Sequence, residues 1–412
     1  MTLTPRDFPE GTPLHHFFAW NARRWRRDRR YALMCQPGRL TGTAAERLAA
    51  AVGNCDAAVH AVVFAAFEEP PSGPRRILVI RLSAFGDFVQ SLGPFAAIRQ
   101  HHRRDHVALL TTRPFAAFAG LLGLFDEVLI DERPALLAIG GWLTLRRLLC
   151  HGRYDRVYDL QTSQRSSAYS WLLWPRRPEW SGIARFCSHP HANPGRDGQH
   201  TQDKQAEQLL MAGIYPTPAP CLPPIERELP ERIGGAVFAL LVPGSSPRHP
   251  AKRWPARHFA RLAQALVAQG MRPVVVGAPH ERALGREIVA ACPGALDLVG
   301  ETDLASLAAL ARHCALTVGN DSGVCHLAAA AGAPVLALFS GQTEPARHAP
   351  RGPLVRVLAV ADLNDLAPEA VIDEAAALLA TSRALPAGAC CRRLSSDASG
   401  GAASRGAGGG PG

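Results

Sequence analysis

The stretch VGNDSGVCHLAAAAGAP, Val318 to Pro334, decides the fold. Its first residue ends the apolar, partly β-branched run 315–318, which is typical of a buried parallel strand. Asp321 or Ser322 can cap a helix, Gly332 suits the position just past its end, and Pro334 prevents continuation. The stretch therefore predicts a strand, a tight turn and a helix, the repeating unit of α/β proteins.

The same turn carries more polar groups than a connection needs. The first turn of a helix has unpaired backbone N–H groups and the positive end of the helix dipole, and both attract phosphate. Gly323 leaves room for close approach, and His326 follows Ser322 by four residues, so both lie on one helix face. Two interpretations stay open at this point: a well-capped connection and an anion-binding site.

Length and periodicity predict two α/β domains. The chain has 412 residues and is 47% apolar, more than one usual domain requires. Strand-period and helix-period segments alternate, which favours parallel sheets. A proline-rich stretch at 216–230 is typical of a linker. We therefore predict a basic N-terminal extension (1–73), a first domain (74–215), a linker (216–232), a second domain (233–382) and a disordered tail (383–412).

The charge balance favours an anionic partner. The formal net charge is +10, which suits nucleic acid, a phosphorylated glycolipid or a membrane surface, although codon bias toward arginine gives the same balance. The extension interleaves aromatic residues at 17–20 with six arginines at 23–30. That pattern fits a segment lying on anionic lipid, or a solvated basic arm.

Cysteine usage and apolar runs bear on the compartment. The ten cysteines include no CxxC pair, and their scatter favours reduced thiols in the cytosol. We find no secretory signal and no apolar run long enough to span a bilayer. We therefore expect a cytoplasmic protein, with any membrane contact peripheral and on the inner face of the plasma membrane.

The first domain begins with ILVIRLSAFGD, residues 77–87. It predicts a buried strand, a glycine-containing turn and a helix, the first unit of a Rossmann-like sheet, whose strand ends face the ligand crevice. GxGxxG is absent, so a dinucleotide-binding fingerprint is not supported. Asp87 sits at this turn, where a carboxylate caps the helix or acts as a catalytic base.

The second domain places hydroxyls and cations at an equivalent turn. A strand at 237–242 is followed by Ser245 and Ser246, then Lys252 and Arg253. These groups suit an anion cradle, or a solvated basic loop. In the first domain, the loop 185–200 contains three histidines whose spacing matches no structural zinc site, so contact with an anionic acceptor is the preferred interpretation. The histidines are His189, His191 and His200.

Three separated segments together resemble glycosyltransferase family 9, the ADP-heptose:lipopolysaccharide heptosyltransferases. They are ILVIRLSAFGD, VPGSS with AKRWP, and VGNDSGVCHLAAAAGAPVLALFSGQTEP, in the family's order. The resemblance covers about residues 76–380. It implies a GT-B fold, in which two Rossmann-like domains face each other across a cleft. It also implies that the first domain holds the acceptor and the second the nucleotide sugar.

The resemblance also implies roles for individual residues. Asp87 matches the family's general base, and Lys252 matches the phosphate-binding lysine. The donor-binding positions implied are Ser83, Ser245, Ser246, Lys252, Glu281, Thr302, Asp321, Ser322, Gly323 and His326. Charge and predicted position add four arginines that suit a phosphorylated acceptor: Arg113, Arg165, Arg185 and Arg196. Because the chain has no DxD motif, a metal-bound diphosphate is disfavoured, and we expect no metal or cofactor.

The resemblance thus implies an inverting, metal-independent transfer of heptose from ADP-heptose to a lipopolysaccharide core. Deprotonation of the acceptor hydroxyl needs one base, and Asp87 can supply it. Alternatives are a GT-B enzyme that uses another nucleotide sugar for a different surface glycan, and a non-catalytic nucleotide-sugar-binding protein. Nucleic-acid binding is prompted only by charge, since no such motif is present.

Overall fold

The computed structural model describes residues 73–185, 187–245 and 252–384. Its strands form two six-stranded sheets, in which every pairing is parallel. The first sheet contains β1 (Arg76–Ile80), β2 (His106–Thr111), β3 (Glu127–Ile130), β4 (Arg156–Asp159), β5 (Glu179–Gly182) and β6 (His189–Pro190). The second contains β7 (Phe238–Val242), β8 (Arg272–Val275), β9 (Leu296–Asp297), β10 (Leu316–Asn320), β11 (Val335–Ser340) and β12 (Val355–Val360).

Helices follow most strands. In the first half they are α1 (Phe85–Gln90), α2 (Leu92–His101), α3 (Arg113–Leu121), α4 (Ile139–His151), α5 (Gln164–Leu172) and α6 (Thr201–Leu210). In the second half they are α7 (Ala256–Ala268), α8 (Arg282–Ala291), α9 (Leu304–His313), α10 (Gly323–Ala330), α11 (Pro345–His348) and α12 (Pro368–Ala384). This alternation confirms the predicted α/β class.

Both sheets have the strand order of a Rossmann fold. The first runs β3-β2-β1-β4-β5-β6, and the second runs β12-β11-β10-β7-β8-β9, which is the same arrangement counted from β7. In such sheets the strand order reverses between the first and fourth strands, and ligands bind outside the carboxyl ends there. These switch points lie between β1 and β4 and between β7 and β10.

Local details depart from the sequence expectations in three places. The first predicted helix is broken at Ser91 into α1 and α2, with Pro94 in the first turn of α2. The loop predicted at 185–200 contains β6, which is only two residues long and so has no readable alternation. Helix α12 continues to Ala384, which is two residues into the tail predicted from 383. The extension and the remaining tail lie outside the described residues.

The two halves share apolar packing. One buried cluster includes Phe88 and Phe95 from the first half together with Val335 and Phe339 from the second. The proline-rich segment contacts both: Pro218 lies against Gly93, and Leu222 N donates to Ala330 O at 2.8 Å. Among the described residues, none of the helices combines the length and apolar character that crossing a bilayer requires.

Candidate functional site

The predicted base and the predicted donor turn both lie at switch points. Asp87 follows β1, Ser245 follows β7, and Asp321 follows β10. Each of these residues is therefore at the carboxyl edge of its sheet, where parallel strands leave room for a ligand.

Helices α1 and α10 bring these two edges together through glycine. A methyl group at Gly323 would lie 2.3 Å from Phe85 Cδ1 and 2.8 Å from Gly86 N. A methyl group at Gly86 would lie 3.0 Å from Cδ2 of His326. The starts of the two helices thus touch with almost no side chain between them, which places Asp87 and the donor turn in one cleft.

The Asp87 carboxylate is oriented by its own turn and by an arginine. Its Oδ2 accepts a hydrogen bond from Ala84 N at 3.3 Å and lies 3.4 Å from the guanidinium of Arg81. The side chain is still 40% exposed. Asp87 therefore caps α1, as one interpretation of the sequence held, and keeps access to the cleft.

Behind Asp87 is a buried charge network that sequence reasoning missed. Arg81 is buried and donates to Leu160 O at 2.5 Å. Burial lowers the pKa of Arg81, and the charges of Asp87 and Asp159 oppose that shift. Burial also raises the pKa of Asp159 to about 7, against hydrogen bonds from the Thr162 backbone, Ser166 and other groups. One signal in the sequence could have revealed this network: Arg81 stands at the end of an otherwise apolar strand, in the segment VIRLS at 79–83.

On the donor side, Lys252 and Asp321 form an ion pair with Nζ and Oδ2 2.9 Å apart. Asn320 supports it from the end of β10: its Oδ1 accepts from Trp254 N at 2.9 Å, and its Nδ2 donates to Pro243 O at 2.8 Å. The Asn320 amide thereby ties together the three segments that carry Ser245, Lys252 and Asp321.

The N-terminus of α10 faces this ion pair without a side-chain cap. Ser322 is the N-cap residue, but its side chain accepts no backbone hydrogen bond and its Oγ instead donates to Cys325 Sγ at 3.6 Å. Helices begin with backbone N–H groups that lack intrahelical partners. This terminus therefore suits an anion, as the sequence predicted for the turn.

His326 is buried beneath the same helix start. Burial lowers its pKa to about 4. The charges of Asp321 and Asp87 oppose this shift, and those of His200 and His348 add to it. The imidazole is therefore neutral near pH 7.

Other predicted donor residues are spread along the second sheet's edge. The Glu281 carboxylate accepts from Ala278 N at 2.8 Å and fills the space beside Gly244 and Gly277, adjacent to Ser245. Thr302 Oγ1 is buried and makes no hydrogen bond to the described chain. Ser83 lies across the cleft in the first half, where its N–H donates to Gln161 Oε1 at 3.0 Å. Ser246 lies outside the described residues.

The four predicted acceptor arginines all follow strands of the first sheet, but they differ in their contacts. Arg113 is exposed and pairs with Glu132. Arg165 donates to Tyr169 OH and Pro134 O at 2.8 and 2.9 Å, so its guanidinium helps hold the local structure.

The other two arginines flank the histidine loop. Arg196 contacts His191 Nδ1 at 3.2 Å and Thr162 Oγ1 at 3.1 Å, and is mostly buried, while Arg185 is exposed.

The three histidines of that loop have separate partners. His191 Nε2 lies 3.0 Å from Glu207, His200 Nε2 lies 2.9 Å from Ala349 O, and His189 Nδ1 lies 2.8 Å from Ser188 Oγ. The His200 contact joins the two halves. Lys204 and His348, which sequence reasoning did not single out, lie close enough to Asp87 for their charges to interact.

Comparison with known proteins identifies the family. The model of glycosyltransferase family 9 (heptosyltransferase) matches residues 142–374. Lipopolysaccharide heptosyltransferase 2 of Salmonella typhimurium is 33% identical over 324 residues, 69% of this chain and 87% of that protein. The Escherichia coli protein of the same name is 27% identical over 362 residues, 74% of this chain and 98% of its own length.

Solved structures agree on the fold. ADP-heptose lps heptosyltransferase II of E. coli superposes with a TM-score of 0.63 at 23% identity, covering 75% of this chain and 100% of that one. A glycosyl transferase family 9 structure from Veillonella parvula gives 0.65 at 21% identity, covering 75% and 98%. With two parallel Rossmann-order sheets meeting at a shared cleft, the chain is a glycosyltransferase of the GT-B fold and belongs to family 9.

Proposed function

We propose that this enzyme transfers heptose from ADP-heptose to the inner core of lipopolysaccharide, with inversion and without a metal. The observation that carries the proposal is the meeting of α1 and α10, which sets the Asp87 carboxylate opposite the Lys252–Asp321 pair in one cleft. The relatives named above are heptosyltransferases of lipopolysaccharide, which supports this donor and acceptor.

In this proposal Asp87 is the general base. Its carboxylate accepts the proton of the acceptor hydroxyl as that oxygen bonds to the anomeric carbon, and the bond from that carbon to the diphosphate breaks on the opposite face. Arg81, 3.4 Å from Oδ2, holds the carboxylate in place. His326 is neutral near pH 7, because burial lowers its pKa to about 4.

The second half stabilises the departing nucleoside diphosphate. Lys252 supplies a cation, and the first turn of α10 supplies backbone N–H groups and the positive dipole end. Such fixed donors stabilise charge as it develops in the transition state. Glu281 and Thr302, at neighbouring strand ends, are assigned to the nucleoside.

The acceptor is assigned to residues 74–215 and the donor to residues 233–382. Four arginines are proposed as contacts to the phosphorylated core: Arg113, Arg165, Arg185 and Arg196. Arg165 also stabilises the local structure through its hydrogen bonds to Tyr169 and Pro134. Because lipopolysaccharide is built on a lipid, we place the enzyme in the cytoplasm at the inner face of the plasma membrane.

The test is ADP release from ADP-heptose with purified lipopolysaccharide core, comparing the wild type with Asp87→Asn. Loss of a positioned base costs about 100- to 10,000-fold in rate. We expect a drop of that size with donor affinity by calorimetry unchanged. Equal turnover in both proteins would remove Asp87 from the base role.

Lys252→Gln is the companion variant. It should weaken ADP-heptose binding while leaving Asp87 in place, because it removes the cation assigned to the diphosphate. A calorimetric screen of other nucleotide sugars checks the donor, and tighter binding of a different sugar nucleotide would replace ADP-heptose in the proposal.

A further inference from the structure

One face of the first half exposes a group of large apolar side chains. Six of the eleven exposed large apolar residues of the described chain belong to it. Leu136, Leu137 and Ile139 are 85%, 90% and 74% exposed, at the loop before α4 and at its start. The members of this α4–α5 surface are Leu136, Leu137, Ile139, Leu143, Trp171 and Trp174.

Hydrogen bonds make the surface continuous. Arg146 of α4 donates to Leu172 O at 2.7 Å and to Trp174 O at 2.9 Å, which holds the end of α5 against the middle of α4. Trp142 Nε1 donates to Ala135 O at 3.0 Å, which folds the preceding loop onto α4. The loop before α4, α4 itself and the end of α5 therefore form one continuous surface, in which α4 alone is about 20 Å long, given 1.5 Å per residue over its 13 residues.

The surroundings of this surface are strongly basic. Segments 133–154 and 160–178 contain seven arginines and neither Asp nor Glu. Arg133, Arg147 and Arg177 are exposed, and the Arg177 guanidinium lies 4.6 Å from the Trp174 ring centroid. Tryptophan and leucine bordered by arginine is the composition of segments that bind anionic bilayers at their interface.

The surface also reaches the catalytic cleft. The loop before α4 follows β3, and α5 follows β4, so both begin at the sheet edge that carries Asp87. A bilayer in contact with Leu136, Leu137 and Ile139 would therefore lie beside the crevice assigned to the acceptor.

We propose that the α4–α5 surface docks on an anionic phospholipid bilayer. Arginines near such a surface are attracted to its anionic headgroups, and the apolar side chains add burial among the acyl chains. The chain's own N-terminal extension is a poorer occupant, because its arginine run 23–30 carries the same sign of charge. The proposal goes beyond the transferase function, since lipid binding is measured with neither substrate present.

The experiment is flotation of the full-length protein with phosphatidylglycerol vesicles, phosphatidylcholine vesicles and a salt series. We expect binding to phosphatidylglycerol that weakens with salt. Replacing Leu136, Leu137 and Ile139 by Ser should lower the partition coefficient about tenfold or more, because three exposed apolar anchors are lost. Replacing Arg133, Arg147 and Arg177 by Gln should do the same.

Matched controls separate the alternatives. Leu121→Ser with Val237→Ser removes two apolar side chains elsewhere, which are 50% and 59% exposed, and should leave binding unchanged. A variant in which the six arginines of 23–30 are changed to Gln should keep most of the vesicle binding. Binding that is lost in this extension variant but kept in both surface variants would overturn the proposal. So would a dimer that the surface variants convert to monomer in sedimentation velocity, without any vesicle binding in the wild type.

Discussion

His326 shows how one buried side chain ties stability to pH. The folded protein holds its pKa at about 4, below the ordinary histidine value of 6.5. Between these values the unfolded chain binds the proton more strongly, so this residue makes stability fall as pH drops from about 6.5 to 4.

We therefore predict that His326→Gln flattens the acid side of the stability profile. At pH 5 the contribution amounts to about 2 kcal/mol in the free energy of unfolding. Urea unfolding gives the free energy of unfolding of each protein at pH 7.5 and at pH 5, and the difference between these two free energies measures the contribution. His151→Gln, at an exposed position, is the control and should keep the wild-type difference. An unchanged pH difference in His326→Gln would contradict the assignment.

At the scale of elements, the contact of α1 with α10 depends on two glycines. The position of Gly323 has no room for a methyl group, since Phe85 and the backbone of Gly86 are already in contact with it. The neighbouring backbone cannot move without moving the whole helix.

Gly323→Ala should consequently destabilise the protein by about 1–3 kcal/mol, the usual cost of overpacking, and lower the affinity for donor. Thermal unfolding and calorimetry with ADP-heptose measure the two effects. Gly120→Ala is the matched control, because a methyl group added at Gly120 in helix α3 would meet no atom within 4 Å outside its own helix backbone. That change should stabilise by up to about 1 kcal/mol. A Gly323→Ala protein as stable as the wild type would mean that the helices are not in tight contact.

At the scale of the whole molecule, a second set of contacts joins the halves beside the cleft. Arg351 binds Asp203 through both guanidinium nitrogens at 2.6 and 2.8 Å, and Arg347 donates to Asp197 O. His200 adds its bond to Ala349 O. Because GT-B enzymes have two domains around a cleft, such contacts bias the equilibrium between closed and open arrangements.

We predict that Arg351→Gln opens the free protein with little loss of stability. An exposed ion pair contributes about 1 kcal/mol or less, which still shifts a closed–open ratio by about fivefold. Small-angle scattering should give a larger radius of gyration than the wild type, with a melting temperature that changes little. Arg356→Gln breaks a pair with Glu374 inside the second half and should leave the radius unchanged. The same radius in both variants would argue against the role of Arg351.

Much of the site was readable from local pattern. Asp87, Asp321 and Lys252 stand next to turns whose glycine, serine and proline spacing predicts βα units, and parallel strands place such turns at one edge. The pairing of Lys252 with Asp321 and the closeness of Asp87 to His326 were not readable, because 69 or more residues separate each pair.

The sequence by itself determined the α/β class, the two Rossmann-like halves and the turns that carry the candidate base and donor residues, because strand and helix periodicity and turn chemistry act over a few neighbouring residues. Only the tertiary structure decided that Arg81 is buried beside Asp87 with Asp159 nearby, that Gly86 and Gly323 join the halves, and that the apolar and basic residues of α4 and α5 share one face. Those relations depend on packing between distant segments, where burial sets the charge state of a side chain and the space left for it.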